Sequence, residues 1–255
     1  MGKQYWRGGN MLYPVPAVMV SCGRPEERPN IITVAWAGTV CSSPAMVSIS
    51  VRKERYSYDI LKETGEFVIN LITRDLTYAT DFCGVRSGRD VDKFAQMHLT
   101  PLPSQHISAP GIAESPVNLE CKVTQVIPLG SHDMFLAEVL GVTVDEKYMD
   151  ENGKFHLNDA GRVAYSHGEY FELGEKLGKF GYSVAKKQAA KPESVTKSAK
   201  LSGAGKKAAS AENDLRHDAA VKRLLLDAGG DDVAQQVPAI FHQRCGGLVA
   251  GGFDS

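Results

Sequence analysis

The chain has 255 residues, 29 Lys and Arg against 30 Asp and Glu, a net charge of -1 and a hydrophobic fraction of 43%, which suits an ordinary soluble fold with one good core or two small ones. No apolar run approaches the roughly 20 residues needed to span a bilayer, and the opening "MGKQYWRGGNMLYPVP" lacks the apolar segment of a secretory signal, so a cytoplasmic protein is expected. The five cysteines (Cys22, Cys41, Cys83, Cys121, Cys245) are scattered with no C-x-x-C pair, which argues against a zinc site or a disulfide framework.

Strands dominate up to about residue 184. "AVMVSC" is short and apolar, and "NIITVAWAG" is rich in β-branched residues. "MVSISVRK" alternates, with Met46, Ser48, Ser50 and Arg52 on one face and Val47, Ile49 and Val51 on the other. "SYDILKET" reads as a helix with Ser57 as N-cap and Asp59 in its first turn. "EFVINLI" is a strand, and "DLTYATDFCG" is a helix ending on Gly84. "NLECKVTQVIPL" and "MFLAEVLGVTVDEKY" are strands, with His132 at the turn between them. "ELGEKLGKFG" places Leu173, Leu177 and Phe180 on one helical stripe. Six or more strands with only short helices exclude a doubly wound parallel sheet. The fold expected is mainly β with short helices, a closed or partly closed barrel of about 170 residues.

The character then changes. Between Lys186 and Ser210 seven lysines face one acid, Glu193, with no aromatic residue. Such a stretch cannot bury enough surface to offset its ordering entropy. It reads as a disordered linker; a polybasic tail can also touch nucleic acid or acidic lipid, but a solvated tail is favoured because no aromatics are interleaved. "AENDLRHDAAVKRLLLDAGG" has the pattern of one helix, and the end has no period. The expected organisation is a domain over 1–183 and a lysine-rich, largely disordered C-terminal extension over 184–255.

Three segments carry candidate chemistry. Trp36 sits among Ala35, Ala37 and Gly38; small residues let a flat ligand approach the backbone, although an ordinary core tryptophan explains the segment equally. Arg52 and Arg55 precede a helix beginning near Ser57, a combination suited to one phosphate, with Lys93 as a further cation; a solvated charge cluster is the alternative. His132 can be catalytic or a satisfied polar group. Metal binding is disfavoured, because Asp133 cannot face the same ion from the next strand position. There is no G-x-G-x-x-G after a strand, no Walker A sequence and no G-x-S-x-G.

Taken in order, "NIITVAWAG", "SISVRKERYS", "FVINL", "CGVRSGRDVDKF", "GSHDMFLAEV" and "YSHGEYFELGEKLGKFG" resemble the flavin reductase family with the FMN-binding split β-barrel, its flavoredoxin-like branch above all. The resemblance runs from Pro14 to Ser183. It implies FMN as cofactor, NAD(P)H as electron donor and a homodimer, with free flavin, an iron complex or a redox partner protein as acceptor. A non-enzymatic FMN electron carrier is the other activity it implies. By resemblance, Asn30, Thr33, Ala35, Trp36 and Ala37 run along the isoalloxazine ring, with Cys41 in the turn after them. Ser50, Val51, Arg52 and Ser57 hold the ribityl chain and phosphate, and Lys93 belongs to the D-K-F element. His132 sits near the flavin and the nicotinamide, as the one catalytic candidate, and Tyr165 is an aromatic near the ring. Many members read G-D-H-T where this chain has "GSHD", so the setting of the histidine is open.

Overall fold

Alternation of small polar and β-branched residues shapes the central strands, and their order closes the barrel. In the computed structural model, residues 2–184 are described. The strands are β1 (Val15–Pro16), β2 (Val18–Cys22), β3 (Asn30–Val34), β4 (Ala37–Ser42), β5 (Ala45–Arg52), β6 (Glu66–Leu71), β7 (Pro101–Leu102), β8 (Gly111–Ile112), β9 (Val117–Pro128), β10 (His132–Val144), β11 (Val163–Ser166) and β12 (Glu169–Glu172). The helices are α1 (Tyr56–Thr64), α2 (Thr77–Val85) and α3 (Lys93–Gln96). Seven strands form one sheet in the order β3-β2-β6-β9-β10-β5-β4. Its two end strands are consecutive in the chain, β3 ending at Val34 and β4 starting at Ala37. The sheet therefore has to curl until its ends meet, and the Ser50 amide donates to the Trp36 carbonyl at 2.9 Å, which carries the β4–β5 pairing one step into the bend. This is a mainly β, split-barrel architecture.

Two cores follow from the pleat. Val47, Ile49 and Val51 of β5 face inward, together with Val20, Ile32 and Phe135. Helix α1 adds Tyr58, Ile60 and Leu61 to that interior. The opposite faces of β2 and β3 present Met19 and Ile31, with Ala35 of the following bend, to Cys83 of α2, Phe94 of α3 and Tyr165 of β11. Both strands are thus buried on both faces, which is why they read as continuous apolar runs.

Several local expectations are corrected. "NIITVAWAG" is two strands broken by a bend at Ala35 and Trp36, because the chain must pass from one edge of the sheet to the other. Helix α1 starts earlier than expected: its N-cap is Arg55, with no side-chain capping bond. Ser57 lies inside the first turn, where its hydroxyl accepts from Asn30 Nδ2 at 2.7 Å. Gly84 does not end α2; it is buried within the helix, which is capped at Arg86, whose amide donates to the Phe82 carbonyl at 2.9 Å. Gly65 does close α1, at φ 62°. His132 is the first residue of β10, opposite Arg52, where the turn passes into the strand. Cys41 lies in β4 opposite Met46, not in a turn.

Residues 2–174 belong to one unit and residues 175–184 to a second. The expected helix over 172–181 is absent: β12 ends at Glu172, and a 3-10 turn at Tyr182–Val184 is the next regular element. Gly174, Gly178 and Gly181 explain this, since each glycine costs a helix roughly 0.5–1 kcal/mol. Leu177 and Phe180 stand fully exposed. The lysine-rich linker, the helix expected over 211–230 and the rest of the C-terminal extension lie outside the described residues. Among the described residues no helix is long and apolar enough to cross a membrane.

Candidate functional site

The β5–β10 ladder builds the floor of a cleft. Antiparallel pairing sets His132 opposite Arg52 and Met134 opposite Ser50. Residues directly opposite share a face, so His132, Arg52, Ser50 and Met134 all point away from the barrel interior. All four are half-buried. The bend between β3 and β4 brings Trp36 to the same place. The cleft has a volume of about 520 Å³, with Trp36, Ser50 and His132 meeting Leu129 and the N-terminal residues Met11 and Leu12. That size falls within the roughly 300–1,000 Å³ of small-molecule sites.

An aromatic cluster backs one wall. The Tyr13 ring lies 6.2 Å from Trp36, 6.2 Å from Tyr165 and 4.4 Å from His167. Tyr165 is buried behind Tyr13 and packs on Tyr170 at 5.7 Å. His167 (φ 48°) and Gly168 (φ 88°) form the two-residue turn between β11 and β12, a geometry that requires positive φ at both positions.

A cationic end adjoins the ladder. Arg52 Nη1 lies 3.1 Å from Glu54 Oε1, while Arg52 Nε is a buried donor without a hydrogen-bond partner among the described residues. The chain then turns, Arg55 N donating to Arg52 O at 3.2 Å, and α1 begins. Its N-terminus, which the Arg55 side chain does not cap, carries a partial positive charge. The loop after α2 closes over this point: Arg28 Nη2 donates to the Gly88 carbonyl at 2.8 Å, and Arg89 stacks on the Tyr56 ring at 5.4 Å.

Asp133 takes the other face from His132, as alternation demands. Its Oδ2 accepts from the Tyr58 hydroxyl at 2.6 Å, and Lys53 Nζ lies 3.4 Å from Oδ1. The Tyr58 bond, helped by Lys53, holds this carboxyl below the usual range, while Asp133 and burial push the Tyr58 phenol up to about 12.

The expected site residues divide accordingly. Trp36, Ser50 and His132 line the cleft, with Arg52 beside His132; Asn30 and Ser57 meet at the start of α1. Thr33 donates its hydroxyl to the Thr80 carbonyl of α2. Lys93 is buried and donates to the carbonyls of Ile31 at 2.8 Å and Cys83 at 3.0 Å, which ties α3 to β3 and α2. Val51 faces the barrel interior, Ala35 the second core, and Ala37 packs at the margin of the first. Cys41 is half-buried in β4. Sequence reasoning assigned nothing to Tyr13, Leu129, Gly88 or Tyr58. Only Gly88, in the quoted "CGVRSGRDVDKF", carried any signal, as a glycine where backbones approach closely.

Comparison with known proteins bears on the family and the fold. The family described as flavin reductase like domain matches residues 10–174. An uncharacterised protein of Archaeoglobus fulgidus is 32% identical over 147 residues, covering 58% of this chain and 81% of that protein. The flavoredoxin of Desulfovibrio vulgaris (Miyazaki F) superposes with a TM-score of 0.67 at 33% identity, over 72% of this chain and 100% of that one. An FMN-binding protein from Thermus thermophilus shares the fold at a TM-score of 0.58 and 23% identity, over 70% of this chain and 97% of its own.

Proposed function

The chain belongs to the flavin reductase-like domain family, and from that premise we propose that it is an FMN-binding oxidoreductase that takes hydride from NAD(P)H and passes electrons to free flavin, an iron complex or a partner protein. The observation that carries the proposal is the cleft in which Trp36, Ser50 and His132 converge beside Arg52. When bound, FMN would supply the hydride and electron chemistry, which the side chains cannot perform.

The residues present fit that cofactor. Arg52, whose buried Nε has no hydrogen-bond partner among the described residues, and the N-terminus of α1 suit a phosphate. The Asn30–Ser57 pair adds polar groups at the same place. Trp36 offers a flat wall to a planar ring, and the Ser50 hydroxyl a polar contact along its edge. His132 would orient the nicotinamide or donate a hydrogen bond at the ring. The apolar side chains of Met11, Leu12 and Leu129 would exclude water from the reacting face.

A homodimer belongs to the same reading. Val40 of β4 is 50% exposed, and Leu140 and Val142 of β10 are 40% and 56% exposed, an apolar outer face that a second copy would cover. The likeness to flavoredoxin favours a second reading, an FMN electron carrier without NAD(P)H turnover. We assign the domain to residues 1–183 and treat 184–255 as an appendage.

The test begins with the purified protein. Bound flavin is read from its visible absorbance, and anaerobic stopped-flow follows reduction by NADH and by NADPH. Turnover in the wild type supports the reductase; bound flavin without turnover supports the carrier; a protein that takes up no FMN overturns both. His132→Ala should keep FMN affinity within about tenfold, since one hydrogen bond contributes only about 0.5–1.5 kcal/mol. Its reduction rate should fall on the order of 100-fold, as expected for a misplaced nicotinamide. An unchanged rate returns His132 to a structural role.

A further inference from the structure

His132 stands where a strand begins, and strand ends fray. Gly130 (φ 88°) and the exposed Ser131 precede it. The turn is closed by Leu129 N donating to His132 O at 2.9 Å, and Ser131 Oγ lies 2.9 Å from the imidazole Nδ1. Both of these contacts lie within the turn. The ladder to β5 starts at the His132–Arg52 pair, so no earlier rung supports it.

The next residue is tied down differently. Asp133 is 4% exposed, and its carboxylate meets the Tyr58 hydroxyl at 2.6 Å. Tyr58 is itself held: its ring packs edge-on against Phe135 at 5.7 Å, and Lys62 Nζ lies 5.6 Å from the ring centre. Lys53 also approaches the carboxylate, but its side chain is 54% exposed, so solvent weakens that pair. The buried phenol–carboxylate bond is the firmer link, and it joins α1 to the start of β10.

We propose that Tyr58 and Asp133 are positioning residues for His132. The strand alternates, so anchoring Asp133 in the barrel end fixes the direction in which the preceding side chain enters the cleft. The same anchor steadies Leu129, which lines the cleft with His132. The inference rests on the reading that His132 serves the flavin site.

Tyr58→Phe tests it cleanly, because one oxygen is removed and the ring stays against Phe135. Asp133→Ala removes the partner, and Asp133→Asn keeps an oxygen able to accept from Tyr58. Two independent readouts are needed: the ring NMR signals of His132 in the FMN-free and FMN-loaded protein, and the kcat and KM for flavin reduction. Tyr58→Phe and Asp133→Ala should shift and broaden the His132 signals and lower kcat by about ten- to a hundredfold. FMN affinity and KM should stay within about threefold, well under the tenfold that one full interaction commonly carries. Asp133→Asn should recover most of both readouts. Wild-type His132 signals and wild-type kcat in Tyr58→Phe would overturn the proposal. So would an Asp133→Asn protein as impaired as Asp133→Ala, because charge and not geometry would then be at work. Should the wild type bind FMN but refuse NAD(P)H, the reductase reading fails, and the NMR comparison alone decides the positioning role.

Discussion

Gly88→Ala probes the cationic end of the site with a single methyl group. A Cβ on Gly88 would lie 2.2 Å from Asn30 Oδ1, 2.6 Å from Asn30 Cγ and 2.7 Å from Tyr56 Cδ1. Comfortable contacts between carbons are about 3.5–4.0 Å, so roughly 1 Å of movement is required. Asn30 cannot supply it. It is 3% exposed, and its amide is committed to Ser57 at 2.7 Å. The loop carrying Gly88 must therefore lift, which stretches the 2.8 Å bond from Arg28 and disturbs Arg89 on Tyr56. Overpacking of this kind costs about 1–3 kcal/mol. At about 2–4 °C per kcal/mol for a domain of this size, the melting temperature of the FMN-free protein should drop by roughly 2–12 °C. If the start of α1 holds the flavin phosphate, FMN affinity should fall more than riboflavin affinity, since only FMN reaches the displaced groups. Thermal melts and fluorescence titrations with both flavins measure the two effects. A variant that melts with the wild type and binds FMN equally well would refute the close packing and the placement of the phosphate together.

Other outcomes follow from the same geometry. Arg52→Ala should weaken FMN binding roughly 10- to 150-fold, the equivalent of a charge-assisted bond of about 1.5–3 kcal/mol, and leave riboflavin nearly unaffected; equal losses would show that Arg52 does not read the phosphate. Asp133 has a folded-state pKa below its unfolded value, so its contribution is present above about pH 4 and fades as pH falls through the lower folded value. Urea melts should therefore find Asp133→Asn less stable than wild type at pH 7, with the gap closing in acid. Tyr58 has a folded pKa raised to about 12, so its contribution is complete below about pH 10 and is lost as pH rises from there through the folded value; alkaline melts of Tyr58→Phe should lack this loss. Deleting residues 185–255 should leave FMN stoichiometry unchanged, because the family match ends at residue 174; loss of flavin from the soluble, folded shorter chain would refute it.

Much of the architecture was legible because it is local. The alternation in "MVSISVR" assigns Val47, Ile49 and Val51 to the interior and Ser48, Ser50 and Arg52 to the outer face, and the pleat reproduces that division. The order of short motifs was enough to suggest the family and its barrel. What the sequence could not settle depends on which distant segments meet. Lys93 and Arg52 are both cations in resembling motifs, but tertiary packing turns Lys93 onto the carbonyls of Ile31 and Cys83 and leaves Arg52 beside the cleft. The hydroxyl of Thr33, expected along the ring, donates to the Thr80 carbonyl, a partner that only tertiary packing supplies. Tyr13 gave no periodic signal, since its role comes from rings contributed by β11 and by the bend at Trp36. The same holds for the histidine in "GSHD". Strand parity alone separates His132 from Asp133, but only the pairing of β10 with β5 puts the histidine opposite Arg52, and only the packing of α1 brings Tyr58 to the aspartate. A pleat repeats every two residues and is written into the chain; the register between strands and the docking of a helix are set by closure of the whole barrel.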